Sequence, residues 1–299
     1  MHVPVLLQSC LQVLAPKPGD FFIDGTLGAG GHAREVIERI QPGGIFLGVD
    51  RDPAAVAKFR SSLEGTYYAL DKLLVEQGSY AELPGLLSRL DLPRADGLLL
   101  DLGFSSEQIG DGDLAGRGFS FGTDEPLLMT YDPSQPALRN VLPELSETEL
   151  ARIITEYGEE RYAARIAKSI AQMAKKGGGI QTTSQLVAAI KEAVPAGYER
   201  GRIHPATRTF QALRIYINQE LAQLENLLDS LEAVMRPGSR VAIISFHSLE
   251  DRIVKNKFRE LAHADQGELL TKKPITATEE EILRNPRSRS AKLRAIRLF

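Results

Sequence analysis

Short apolar runs bounded by turn residues alternate, through the first third of this chain, with stretches whose apolar side chains recur every three or four positions. That alternation is the mark of strands feeding helices. FFID (21–24) is a continuous apolar run ending in a carboxylate, and HAREVIERIQ then places Ala33, Val36, Ile37 and Ile40 on one helical face. GGIFLGVDRD predicts a second strand ending at Asp50, and LLVEQ (73–77) and GLLLDL (97–102) predict two more, with AELPGLLSRL as the helix between them. Strand, loop, helix, strand is a βαβ unit, so this region predicts an open parallel sheet.

The pattern changes after Asp101. GFSSEQIGDGDLAGRGFSFGTDEP is too long and loop-rich for an ordinary connection, which predicts a functional loop. SETELARIITEYG, EERYAARIAKSIAQMAKK and SQLVAAIKEAV then read as a helical insertion, with KKGGGIQTTS as a flexible connection. From 208, Phe210, Leu213, Ile217, Leu221, Leu224, Leu228, Leu231 and Met235 alternate steps of three and four, which predicts one long helix against the sheet. RVAIISF (240–246) predicts another buried strand, and Ser248 with Asp251 has the spacing of a capping box opening the helix LEDRIVKNKF. The expected fold class is α/β, a mostly parallel sheet with a helical insertion domain. Residues 1–105 and 206–299 form one domain, and 106–205 form the loop plus helical insertion beside a substrate cleft.

Composition narrows the class. A chain of 299 residues, 43% apolar, can bury a substantial core. Its formal charge of −3 means that any nucleic-acid affinity must come from local clusters of Lys and Arg. The single cysteine, Cys10, excludes a disulfide framework and a multi-cysteine zinc site, which fits a reducing cytoplasm. The opening MHVPVLLQSCLQVLAPKPGD lacks a basic start and is broken by Gln8, Ser9 and Gln12, unlike a signal peptide or a membrane span. No membrane partner and no metal are expected.

The glycine-rich stretch IDGTLGAGGH (23–32) carries the first chemistry. Gly28, Gly30 and Ala33 satisfy a loose dinucleotide fingerprint, with Asp50 where a ribose-binding carboxylate belongs. Glycines allow close approach, a helix N-terminus offers free N–H groups, and a carboxylate at a strand end accepts ribose hydroxyls. A tight turn with a solvated Asp50 is the plain alternative. Asp24 sits just before the loop, awkward for a pyrophosphate and suited to a cationic amino-acid end. S-adenosylmethionine has such an end and a sulfonium.

Asp101 ends the fourth strand, where sheet topology puts a reacting centre. In DLGFSS (101–106), Asp101 and Phe104 keep the ends of the Asp/Asn-Pro-Pro-aromatic tetrapeptide of amine-directed methyltransferases, while Leu102 and Gly103 replace the prolines. The carboxylate can hold the N–H bonds of a nucleobase amine while its nitrogen attacks a methyl group, and the aromatic can stack on the base. A helix N-cap for Asp101 and core packing for Phe104 are the alternatives taken singly. His247, ending a later strand, faces the base or is a structural histidine.

Motifs across the whole chain extend this reading: HVPVLL (2–7), DGTLGAGGH (24–32), VDRDP (49–53), LLLDLGFSSEQI (98–109), RGFSF (117–121), IHPATRTFQALRIYIN (203–218), SFHSLEDRIVK (245–255) and NPRSRSAKLR (285–294). Through them the chain resembles the bacterial ribosomal RNA small subunit methyltransferase H family, which methylates N4 of a cytosine in the decoding, P-site region of 16S rRNA using S-adenosylmethionine. The resemblance implies a class I methyltransferase (Rossmann-like) sheet. It also implies cofactor contacts from Gly30, Gly31, His32, Asp50, Tyr80, Asp101 and Gln108, with Asp101 catalytic. Tyr80 stands where relatives often have Phe. Leu128 and Thr130 replace the family's usual Asp and Arg, which removes whatever substrate or lid contact those residues make elsewhere.

The tail from Lys272 to Phe299 holds eight Lys or Arg against three Glu, and Arg200, Arg202, Arg208 and Arg214 form a second basic stretch beside His204. Either cluster alone could be a solvated face; two on an acidic chain predict a surface that tracks phosphates, with Arg287 and Arg289 as substrate contacts beside Phe104 and His247. The target amine must be single-stranded or flipped out. The expected partner is 16S rRNA in the assembled small subunit, and the oligomeric state, a homodimer included, stays open. A nicotinamide-dependent oxidoreductase, a non-catalytic RNA-binding module and a DNA amine methyltransferase are the rival readings.

Overall fold

The apolar runs of the first third form strands where their pattern places them: β1 (Phe21–Asp24), β2 (Ile45–Asp50), β3 (Lys72–Gln77) and β4 (Ala95–Asp101). After the insertion come β5 (Met235–Ser245), β6 (Gly267–Leu269) and β7 (Lys292–Leu298). All seven make one sheet in the order β3-β2-β1-β4-β5-β7-β6, in which β1 to β5 run parallel and β7 is antiparallel to both β5 and β6. This is the mostly parallel α/β sheet that the sequence pattern predicts. The computed structural model describes residues 4–102, 116–198 and 204–299.

Each face of the sheet is buried, which is why the strand sequences are continuously apolar rather than alternating. Phe21, Ile23, Leu47, Val49, Leu98 and Leu100 point to one face, against Leu224, Leu227 and Leu228. Phe22, Phe46, Leu99, Ala242 and Ile244 point to the other, where Cys10 of α1 (Leu7–Leu14), Val36 and Ile37 of α2 (Gly31–Ile40) and Phe59 of α3 (Pro53–Leu63) cover them. Among the described residues no helix is long and apolar enough to cross a membrane.

The chain divides into two compact units, Met1–Ser105 with Leu221–Phe299, and Ser106–Glu220. The second boundary lies beyond the expected 205/206. The long helix anticipated from 208 is three helices, Thr207–Asn218, Glu220–Asp229 and Leu231–Val234. Gln219 breaks it with a left-handed φ of 52°. Asn218, just before the break, is buried, donates to the carbonyls of Met129 and Arg214, and accepts from the N–H of Tyr131. Thr207–Asn218 thereby belongs to the helical unit. Its Gly158 approaches the Arg208 carbonyl so closely that a Cβ there would lie 2.7 Å from that oxygen.

Within the helical unit the helices Glu147–Gly158, Ala163–Ala174 and Thr183–Ala193 occupy the expected segments, the first and third opened by capping boxes at Ser146 and Thr182. RGFSF and IHPATRTF supply an aromatic cluster: Phe119 stacks on Tyr131, and Phe121 stacks on His204 and meets Phe210 edge-on. Thr130 is buried in the same unit.

Candidate functional site

The glycine loop leaves β1 at Asp24 and enters α2 at Gly31. Gly30 has φ 74°, and a Cβ on it would sit 2.1 Å from the Phe59 ring. Gly31 lies so near the N-terminal strap that a Cβ would fall 2.5 Å from Pro4 Cγ. Only glycine fits both constraints at residue 30. The turn is pinned to the neighbouring strand: the Leu27 N–H donates to the Val49 carbonyl at 3.1 Å, and the Gly28 N–H donates to Asp50 Oδ2 at 2.8 Å.

Register brings three carboxylates together. Asp24 pairs with Gly48 on one side and Leu99 on the other, and Asp50 and Asp101 lie two residues beyond those partners. With side chains alternating along a strand, all three belong to the same face, at the carboxyl edge of adjacent strands. Open α/β sheets bind ligands at that edge. Asp24 is buried, and burial pushes its carboxyl up to about 7 against the Thr26 hydrogen bond, with the charge of Asp50 adding to the rise. Burial likewise raises Asp50 to about 6, opposed by the N–H groups of Asp52 and Gly28. Two desolvated carboxyls of this kind suit a ligand that carries a cation and hydroxyl donors, and they disfavour a pyrophosphate.

Asp101 is tied into the loop from behind, its N–H donating to Thr26 Oγ1 at 2.6 Å. Its Oδ2 lies 3.9 Å from His32 Nδ1, and His32 Nε2 lies 3.0 Å from the Val5 carbonyl. Tyr80 begins a short 3-10 turn after β3, capped by Ser79, and packs half-buried on the sheet beside Gly25. Gly30, Gly31, His32, Asp50, Tyr80 and Asp101 are therefore gathered at one edge of the sheet. Gln108 and Phe104 lie outside the described residues, as do Arg200 and Arg202.

The other expected substrate contacts sit at the same edge by connectivity. His247 follows the end of β5, and β7 begins at Lys292, in register with Ser245, so the turn Pro286–Ser290 that carries Arg287 and Arg289 precedes that point. Arg287 is half-buried and Arg289 exposed. His247, not Ser248, is the N-cap of the helix Ser248–His263, with Nδ1 3.5 Å from the Glu250 N–H, and its Nε2 lies 3.1 Å from Glu250 Oε1. Glu250 in turn accepts from the Phe246 N–H. The expected capping pair gives way because Asp251 is committed elsewhere: it binds Arg294 at 2.6 Å and Lys292 at 3.4 Å. Burial opposes this, yet the Arg294 and Lys292 contacts hold the Asp251 carboxyl below its usual range. Part of the basic tail is thus internal wiring. Arg284 pairs with Glu280, and in the second cluster Arg214 pairs with Glu220 at 2.8 Å.

Sequence reasoning passed over Thr26 and the strap Pro4–Leu6. The strap was visible only as a motif, because nothing in HVPVLL announces contact with a loop more than twenty residues away.

The sequence pattern of the MraW methylase family matches residues 1–299, the whole length of the chain. The chain belongs to the MraW methylase family. Among its relatives, the ribosomal RNA small subunit methyltransferase H of Geobacter sulfurreducens is 46% identical over 312 aligned positions, covering 98% of this chain and 97% of that protein. The protein of the same name from Deinococcus radiodurans is 49% identical, covering 98% and 88%. Membership of the MraW methylase family decides between the methyltransferase and nicotinamide readings of the glycine loop in favour of the first.

Proposed function

We propose that this chain transfers a methyl group from S-adenosylmethionine to N4 of a cytosine in the decoding region of 16S rRNA, acting in the cytoplasm on the small ribosomal subunit. The observation that carries the reading is the convergence of Asp24, Asp50 and Asp101 around a glycine loop on one face of the sheet edge. The names of its relatives supply the class of RNA, and the resemblance supplies the base and the atom.

The residues present fit this cofactor. Asp50 spends one lone pair of each oxygen on Gly28 and Asp52, which leaves acceptors for two ribose hydroxyls. Asp24, once ionised, answers a cationic amino group, and the start of α2 offers N–H groups to the carboxylate of the same end. Tyr80 supplies a ring for the adenine. Bound there, the cofactor supplies a methyl already activated by a positive sulfur, so the protein's task is placement. Asp101 accepts the N–H bonds of the cytosine amine, lets its lone pair turn out of ring conjugation, and receives the proton released on transfer. The exposed cations of the tail, Lys272, Lys273 and Arg289 among them, track phosphates.

Mass mapping of 16S rRNA from cells with and without this protein tests the reading. One cytosine should lose a single methyl group in its absence. An unchanged map, or loss of a methyl group from a different base, ends it.

A further inference from the structure

The contact between His32 and Asp101 has a defined polarity. A carbonyl only accepts, so the Val5 carbonyl, 3.0 Å away, fixes the proton of the neutral imidazole on Nε2. Nδ1 is then an acceptor, and it faces Asp101 Oδ2 at 3.9 Å with both side chains mostly buried. Two acceptors turned toward each other in a partly dry site have room for one proton, which converts them into a donor and an acceptor. The strap that sets this tautomer is itself held: the Leu6 N–H donates to Glu281 Oε1 at 2.6 Å, and Pro4 packs on Gly31.

We infer that His32 is the proton acceptor behind Asp101, a positioning residue that orients the carboxylate and then takes from it the proton shed by the methylated amine. The inference rests on the role assigned to Asp101 above. In the transfer, the amine lone pair forms the new N–C bond while the C–S bonding pair returns to sulfur. The amine's N–H pair stays on nitrogen as its proton passes to Asp101. Asp101 then yields that proton to Nδ1, leaving an imidazolium whose Nε2–H still holds the Val5 carbonyl, and solvent takes the proton away. For this, the 3.9 Å gap must close by roughly 1 Å, a contraction common when substrate completes a site. Close by, the thiol of Cys10 on α1 is pushed up first by burial and then by the charges of Asp101, Glu281 and Asp24, from β4, the helix Glu279–Arg284 and β1. The ionised Asp101 carboxylate facing Nδ1 favours a proton on the imidazole rather than repelling it.

The experiment is ¹⁵N NMR of the full-length protein labelled at histidine, with methyl-transfer pH profiles alongside. At neutral pH His32 should show a protonated Nε2 and a bare Nδ1, and its titration midpoint should fall in Asp101→Asn, where the facing charge is gone. His32→Gln, which can still donate to Val5, should lower kcat by roughly ten- to a hundred-fold and remove the imidazole limb from the acid side of the profile. A protonated Nδ1, an unmoved midpoint in Asp101→Asn, or an unchanged acid limb in His32→Gln each overturns the inference. If His32→Gln fails to fold, the tautomer and the midpoint still decide. Full activity in Asp101→Asn instead overturns the reading of Asp101 itself, whatever the spectra of His32 report.

Discussion

Asp24 offers the sharpest test of the site's electrostatics. Its carboxyl rises from 3.8 to about 7 on folding, and at about 1.4 kcal/mol per unit this is a cost of roughly 4 kcal/mol when the group ionises in the empty site. A folded-state value above the unfolded one means that the native chain binds more protons between those limits, so the cost is absent below about pH 4 and complete above about pH 7. The contribution of Asp24 to the stability of the ligand-free protein should therefore fall across that window. Asp24→Asn keeps the oxygen that accepts the Thr26 N–H and removes the charge, so its urea-unfolding free energy should exceed the wild type's by up to about 4 kcal/mol near pH 8 and match it near pH 4. Comparing the two proteins separates this carboxyl, together with its coupling to Asp50, from the other titrating groups. Binding the methyl donor should reverse the preference: calorimetry in buffers of different ionisation heat should detect more than one proton released near pH 6, most of one from Asp24 and about half of one from Asp50, with release falling away as pH rises. Parallel stability profiles for wild type and Asp24→Asn, or donor binding with no proton release near pH 6, would refute the reasoning.

Three further outcomes follow from contacts already described. Asp101→Asn should lower the single-turnover rate by about 10²–10⁴-fold, with donor affinity by calorimetry held within a few fold. Gly30→Ala meets both a left-handed φ and the Phe59 ring, so it should cost more than about 1 kcal/mol in urea unfolding and weaken donor binding. Asp251→Ala strands the buried Arg294 guanidinium and should cost roughly 3 kcal/mol, a loss that Asp251→Ala with Arg294→Met should partly restore.

The sheet was legible because parallel strands buried on both faces leave unmistakable apolar runs, as in FFID and GLLLDL. The helix that carries Val36, Ile37 and Ile40 was legible for the same reason at its own period. The break at Gln219 was not, since leucines continue in phase on both sides of it; the polar pair Asn218–Gln219 held the signal, in a side chain whose partners lie near residue 130. The capping pair at Ser248 and Asp251 failed because spacing alone cannot know that a guanidinium from a distant strand claims the acid. The same blindness inflated the basic tail, where Lys292 and Arg294 count as charge in the sequence and serve as internal partners in the fold. At the site, residue types and strand ends marked Asp50 and Asp101 correctly as neighbours of the glycine loop. The link from Val5 to His32 could not be read, because it depends on where a strap returns in space.

Strand β4 ends at Asp101, and its next partner, β5, does not start until Met235. A chain emerging from its N-terminus thus completes four strands and an entire helical unit before the second neighbour of β4 exists. Closing so long a loop adds only slowly to the entropy cost, but it delays the step, and until then β4 carries an open hydrogen-bonding edge. The Asp101 carboxylate sits at the end of that edge, so its surroundings stay incomplete until β5 has been made.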